Sequence, residues 1–205
     1  MTNARKSRDS AREKLERVRA EQAAAARRRR TIIVASVVVA VLLIGGGVTA
    51  AALSSRSSVS LSAVQSFSGL TRNHVTGTVN YAQTPPVGGD HDPTWLNCGI
   101  YTSPVRNENA VHDLEHGAVW ITYQPSLAKA QVDKLTTYAR GQTYLDLTPY
   151  PGLPAPIVAS AWGKQLRLTS ASDPRLTAFV KKYKQGVQTP EPGAPCTGGT
   201  GSPDG

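Results

Sequence analysis

The chain has 205 residues, 40% of them hydrophobic and 18% charged, a balance that suits a folded domain and excludes a disordered polyelectrolyte. Its formal charge of +9 sits at one end: residues 1–30 hold eleven Lys and Arg against four acids, net +7, whereas residues 31–205 hold twelve against ten, net +2. That basic end has no aromatic side chain to stack on a base, so it points to anionic lipid headgroups and away from nucleic acid.

Residues 9–30 predict an exposed helix, with Arg12/Glu16 and Glu13/Arg17 at four-residue spacing. After Arg27-Arg28-Arg29-Arg30 come twenty-five residues without a charge, up to Arg56. A helix rising about 1.5 Å per residue crosses the hydrocarbon core with roughly twenty apolar residues, and residues 31–53 supply that length. Because basic residues stay on the cytoplasmic side, residues 1–30 are expected to be a cytoplasmic tail and 31–53 a transmembrane helix in the plasma membrane, with an extracytoplasmic domain after it. Thr49-Ala50-Ala51-Ala52 would suit a signal peptidase, but the basic region is too long for a signal peptide, so retention of the anchor is expected. Residues 54–66 read as a polar Ser-rich linker, 67–186 as one domain and 187–205 as a Pro/Gly-rich tail.

Within the domain, His74 to Tyr81 alternates in polarity like a half-buried strand. Thr84 to Gly99 is turn-rich, and loops of that length are often functional. A short helix is predicted over 107–116, with Asn107 as N-cap, Glu108 in the first turn and Gly117 as terminator. Ala118 to Tyr123 suits a buried strand, Ser126 caps a helix to Arg140, and Pro156–Trp162 and Lys164–Thr169 read as strands joined at Gly163. The last helix has Asp173 as N-cap and Pro174 as its first residue. Leu176, Phe179, Val180 and Tyr183 then mark an apolar stripe. The fold class expected is α+β, a small mixed sheet with packed helices. The β-α-β-β-α run from 118 to 185 also occurs in thioredoxin-like folds, but no Cys-x-x-Cys accompanies it. Trp95, Tyr101, Trp120 and Trp162 are expected in the core.

The only cysteines are Cys98 and Cys196. Outside the membrane they are expected to pair, closing a loop of about a hundred residues worth up to about 4–5 kcal/mol and pinning the tail to the domain.

All four histidines, His74, His91, His112 and His116, fall within forty-three residues. His112 and His116, at i and i+4, project from one helix face, close enough to share a metal ion with His91 and His74 as further ligands. Asp90, Asp92, Asp113 and Glu115 are candidates for orienting the imidazoles, with Glu115 also a candidate ligand. All-nitrogen ligation suits zinc, copper(II), nickel or iron, zinc and copper foremost. His112-Asp113-Leu114-Glu115-His116 also fits the His-x-x-Glu-His pattern of inverted zinc peptidases, in which the glutamate activates a metal-bound water. That pattern needs a distant third ligand, and downstream the only glutamate is Glu191, in the tail.

The elements Asn73-His74-Val75, Pro85-Pro86-Val87-Gly88-Gly89-Asp90-His91, Trp95 to Tyr101 and Val111-His112-Asp113-Leu114-Glu115-His116-Gly117 resemble a bacterial family catalogued as domain of unknown function 3105. The family looks like membrane-anchored or exported proteins, and its pattern lands on His74, His91, His112, Glu115 and His116. Gly89-Asp90 stands where the family pattern has Gly-Pro. The resemblance implies one site and no activity. Three readings follow: a membrane-anchored metal-binding domain, a metal-free accessory subunit of a membrane or cell-envelope complex such as a respiratory one, and a zinc hydrolase.

Overall fold

The computed structural model describes residue 22, residues 27–30 and 32–39, and residues 59–204. The chain divides into two compact units, residues 1–58 and 59–205. In the first unit the described residues are helical and exposed. Among the described residues no helix is long and apolar enough to cross a membrane. Residue 31 and residues 40–53 of the expected span lie outside the described residues, as do most of the expected basic helix and residues 54–58 of the linker.

The second unit is built on a five-stranded mixed sheet in the order β1-β5-β4-β2-β3. Its strands are β1 (Gln65–Ser66), β2 (Val119–Tyr123), β3 (Leu145–Pro149), β4 (Ile157–Ala161) and β5 (Lys164–Leu168). The helices are α1 (Asn107–His116), α2 (Lys129–Ala139) and α3 (Pro174–Tyr183). Only β2 and β3 run parallel, because α2 carries the chain back between them; the other pairs are antiparallel.

Alternation along the strands gives the sheet two different faces. Val119, Ile121, Leu145, Leu147, Ile157, Ala159, Leu166 and Leu168 join Leu135 of α2 and Leu176, Phe179 and Val180 of α3 in the larger apolar core. The opposite face carries Trp120, which packs with Ala110, Val111 and Leu114 of α1 and with Leu96, Tyr101 and Trp162. That face also buries polar groups, including Asp146, Thr148, Ser160 and Gln165. The helix α1 and the long loops before it therefore cover a partly polar surface.

The elements from α1 onward match the sequence expectation apart from two caps and one strand. Asp173 caps α3 through Arg175 N–H at 2.9 Å, and Pro174 opens the helix. The N-cap of α1 is Arg106 and that of α2 is Ala128, neither with a side-chain cap, so Asn107 and Ser126 do not serve in that role. The unexpected strand is β3. Its Asp146 and Pro149 are poor strand formers, yet parallel pairing with β2 and burial on both faces hold it. The expected β-α-β-β-α run is thus β-α-β-β-β-α.

The expected strand from His74 to Tyr81 does not join the sheet. Only His74 pairs, as an isolated parallel bridge with His91. Beyond it Gly77 takes a φ of 101°, and the N–H of Val79 goes to the Glu108 carboxylate at 2.9 Å in place of a neighbouring strand.

The C-terminal segment lies against the domain. Cys98 and Cys196 form the expected disulfide, with Cα atoms 5.4 Å apart. Around it Cys98 N–H donates to Cys196 O at 2.8 Å, Asn97 N–H to Thr200 O at 2.7 Å and Thr200 N–H to Trp95 O at 2.9 Å.

Candidate metal centre

The ten residues of α1 are Asn-Glu-Asn-Ala-Val-His-Asp-Leu-Glu-His, and every one from Glu108 to His116 is buried. A helix buried all round is normally apolar, so each polar side chain here needs a partner. Glu108 accepts from Val79 N–H and pairs with Arg106 Nε at 3.0 Å. Asn109 Nδ2 donates to Thr94 O at 2.6 Å. Gly117, with φ 98°, ends the helix in the left-handed region, where glycine is the least strained residue. A side chain at that position would also collide with Gln185 and Thr189.

Three of the four histidines are held by main-chain carbonyls. His91 Nδ1 lies 2.8 Å from Gly89 O, His112 Nδ1 2.6 Å from Asp92 O, and His116 Nδ1 2.6 Å from Pro195 O. A carbonyl oxygen only accepts, so Nδ1 carries the hydrogen in all three rings, and in the neutral ring Nε2 is left with a bare lone pair. Burial pushes the His112 imidazolium pKa down to about 4, helped by neighbouring His116, His91 and His74 and opposed by the Asp92 carbonyl, so at neutral pH this ring is uncharged.

His74, His91, His112 and Glu115 bring one donor atom each to within 4.8 Å of one another. The rings of His74, His91 and His112 have centroids 4.7–5.0 Å apart. His91 Nε2 is 2.9 Å from Glu115 Oε2, and His74 Nε2 is 3.9 Å from the same oxygen. Despite the short separation, His91 Nε2 is a buried atom without a well-aligned hydrogen-bond partner. His91 Nε2 and the Glu115 carboxyl group therefore face each other in a site where His91 is wholly buried and Glu115 is 2% exposed. A nitrogen and a carboxylate so placed are held together by a shared cation, either a proton on His91 Nε2 or a metal ion that both ligate.

The donor set fits a transition metal. A tetrahedral centre with bonds near 2.0–2.1 Å needs donors about 3.4 Å apart, within reach of small side-chain rotations from the separations here. Nitrogen donors with one carboxylate suit zinc, iron(II), copper(II) or nickel, and carbonyl-held Nδ1–H groups fix the imidazoles as ligating histidines are usually fixed.

His116 lies beside this group and outside it. Its ring centroid is 4.4 Å from that of His112, and its Nε2 is 4.0 Å from Glu191 Oε2. Glu115 and His74 complete the cluster in its place. The two histidines of the His-x-x-Glu-His pattern do not converge on one set of donors, and the glutamate between them is itself a donor.

The aspartates expected to orient the rings do other things. Asp90 accepts from Asn73 N and Nδ2 at 3.1 and 2.9 Å, tying down the chain next to His74. The Asp92 carboxylate takes Thr94 N–H at 2.9 Å and Arg106 Nη1 at 2.6 Å, which fixes the carbonyl that holds His112. Hydrogen bonds hold both carboxyl pKa values below the ordinary range, led by Thr71 for Asp90 and by the Thr94 amide for Asp92.

Asp113 points to the sheet and meets Asp146. Both are wholly buried. Burial raises both pKa values, and each is opposed or reinforced by its neighbour, so the pair shares a proton. Asp146 also accepts from Gly99 N–H at 3.1 Å, whereas neither Asp113 oxygen receives a donor from another group, as fits a carboxyl that carries the proton itself.

Tyr101, Trp120 and Trp162 are core residues as expected. Trp95 is only partly buried, its ring 5.8 Å from that of His112 and 5.4 Å from that of His116. The Arg106 clamp and the carbonyls of Gly89, Asp92 and Pro195 have no sequence signal, since any residue supplies a carbonyl.

No curated protein and no solved structure shows significant similarity to the chain. A family model, described as a protein of unknown function, matches residues 74–198, a span from the first site histidine to just past the second cysteine. The chain belongs to this family, DUF3105.

Proposed function

We propose that the chain is a single-pass membrane protein whose extracytoplasmic domain binds one transition-metal ion through His91, His112, Glu115 and His74. The observation that carries the metal reading is the convergence of one donor atom each from His74, His91, His112 and Glu115 to within 4.8 Å of one another, with His91 Nε2 buried and without a hydrogen-bond partner. His112, neutral at pH 7, adds a second bare nitrogen beside it. Anchoring rests on the uncharged run after four consecutive arginines, and the disulfide suits the oxidising side of the membrane. The role is metal holding or delivery. A hydrolytic role is the weaker reading, because Glu115, the glutamate that the His-x-x-Glu-His pattern uses as the base, sits among the donors instead.

The test is elemental analysis of the full chain, purified in detergent without a histidine tag and offered zinc, copper, nickel and iron. Near-stoichiometric metal, lost in His112→Ala, supports the reading. No uptake of any of the four sinks it and favours the second reading, a metal-free accessory subunit in which a protonated His91 pairs with Glu115. The 2.9 Å separation is the observation on that side.

A further inference from the structure

The four donors of the cluster are not equivalent. His91, His112 and Glu115 are 0–3% exposed, and the two imidazoles are bolted at Nδ1 to the Gly89 and Asp92 carbonyls. Glu115 is fixed by its place on the buried helix α1. His74 differs in each respect. Its side chain is 50% exposed, and no carbonyl holds its ring. Its segment has no helix or sheet strand, and its backbone is tied by the bridge in which Val75 N–H donates to His91 O at 2.7 Å and His91 N–H to Asn73 O at 3.0 Å, and by Asn73 N–H to the Asp90 carboxylate at 3.1 Å. The backbone is thus registered against the cluster, while the imidazole rotates at no cost in broken hydrogen bonds. The other three donor residues are almost wholly buried, so the cluster is most open to bulk at the His74 edge.

We propose that His74 is a displaceable fourth donor, and that the position it vacates is a binding site for a small anionic donor such as a carboxylate or hydroxide. The proposal rests on the metal reading above and deepens it. Charge selects the class of ligand: a divalent ion with one carboxylate and neutral imidazoles keeps a net charge of +1 in a buried setting, which an incoming monoanion neutralises and a neutral donor does not. Three fixed protein donors with one exchangeable position is the arrangement that lets a bound ion meet an outside ligand, in contrast to a closed structural site.

The experiment uses the full chain loaded with cobalt(II), whose visible spectrum reports the number and kind of donors, and titrates it with sodium azide. In the wild-type protein azide is expected to change the spectrum saturably. His74→Ala is expected to keep one cobalt per chain and to bind azide at least about tenfold more tightly, because no imidazole has to be displaced, whereas His112→Ala loses the metal. Loss of cobalt from His74→Ala to the same extent as from His112→Ala would overturn the proposal, since His74 would then be a fixed ligand. A spectrum blind to azide in both proteins would overturn it as a closed centre. Equal azide affinity in the two would show that His74 is not a donor. No cobalt uptake by the wild-type protein would instead sink the metal reading itself, and the two failures are told apart by that first measurement.

Discussion

The helices α1 and α3 are each ten residues long and are held by different forces. In α3 an apolar stripe of Leu176, Phe179, Val180 and Tyr183 is buried on the sheet while Arg175, Lys181 and Lys182 lie along the rest of the helix. In α1 nine residues are buried, and six of those nine are polar or charged. The first helix in this comparison needs only apolar area, which the sheet supplies without regard to direction. The second needs a partner in the right place for every nitrogen and oxygen, and those partners come from loops distant in sequence. A polar buried helix is costly for stability alone, so α1 depends on the placement of its side-chain partners where α3 depends on apolar area.

Crossed substitutions in the two helices sharpen that contrast most. Phe179→Ala should cost about 3–5 kcal/mol of stability, as truncating a fully buried aromatic does, yet leave one metal per folded chain. His112→Ala should lower metal affinity by more than about a hundredfold, beyond the effect usual for groups that merely orient a ligand. Chemical denaturation in EDTA and metal titration separate the two effects. If Phe179→Ala lost metal while fully folded, the division of labour between the helices would be wrong.

The C-terminal segment extends the comparison, because it holds the last turn of α1. Glu191 N–H donates to Glu115 O at 3.0 Å, Pro195 O holds His116, and Gln185 N–H donates to Gly117 O at 2.9 Å. The disulfide fixes the residue next to Pro195. Replacing both Cys98 and Cys196 by Ser should therefore cost about 2–5 kcal/mol and also weaken metal binding, through the loosened last turn of α1. Melting in EDTA gives the first effect and a competition titration the second. A double variant with lower stability and unchanged affinity would detach the tail from the site.

Arg106→Met tests the loop side of α1. Its guanidinium holds the Asp92 carboxylate, the Glu108 carboxylate and the Gly77 carbonyl together. Without it the Asp92 carbonyl no longer presents a fixed acceptor to His112. Metal affinity should fall about 10–100-fold, the range for groups that orient a ligand, with smaller change in the melting temperature of the metal-free chain.

How much of this was legible in the sequence follows the same division. The helix α3 could be read almost to the residue, because a cap, a proline and an apolar stripe are local signals. The range of α1 is equally legible, and His74, His91, His112, His116 and Glu115 are all candidate ligands from the sequence. The donor set was not legible in full. His116 looked the equal of His112 by spacing, but the Pro195 carbonyl, 79 residues on, binds its Nδ1 and keeps it beside Glu191. His74 looked like a residue on an exposed strand face and came into the cluster through a single bridge to His91. The strand β3 went unseen because its Asp146 has its reason in Asp113, on another element. Periodicity reports what faces an apolar core, and it carries no signal for which polar groups meet.

That buried pair of acids gives the smallest and most local test of α1. Asp113 and Asp146 have carboxyl pKa values raised above the ordinary 3.8 by burial, so in the window above 3.8 the folded chain binds more protons than the unfolded chain. Stability contributed by the pair is complete below that value and falls as the pH rises through the folded values. His112, with its folded pKa lowered from 6.5 to about 4, has the opposite slope between those two values, so the pair must be isolated by comparison with a variant. Asp113→Asn keeps the volume, removes one acid and supplies an amide N–H to Asp146. In EDTA it should flatten the loss of stability between pH 5 and pH 8, leaving the variant more stable than wild type at pH 8 by on the order of 1–2 kcal/mol, within the cost of an unmet buried polar group. Urea midpoints at the two pH values decide it. A wild-type curve that rises over this interval as steeply as that of Asp113→Asn would mean the pair does not share a proton, and this polar contact between α1 and the sheet would need a different physical basis.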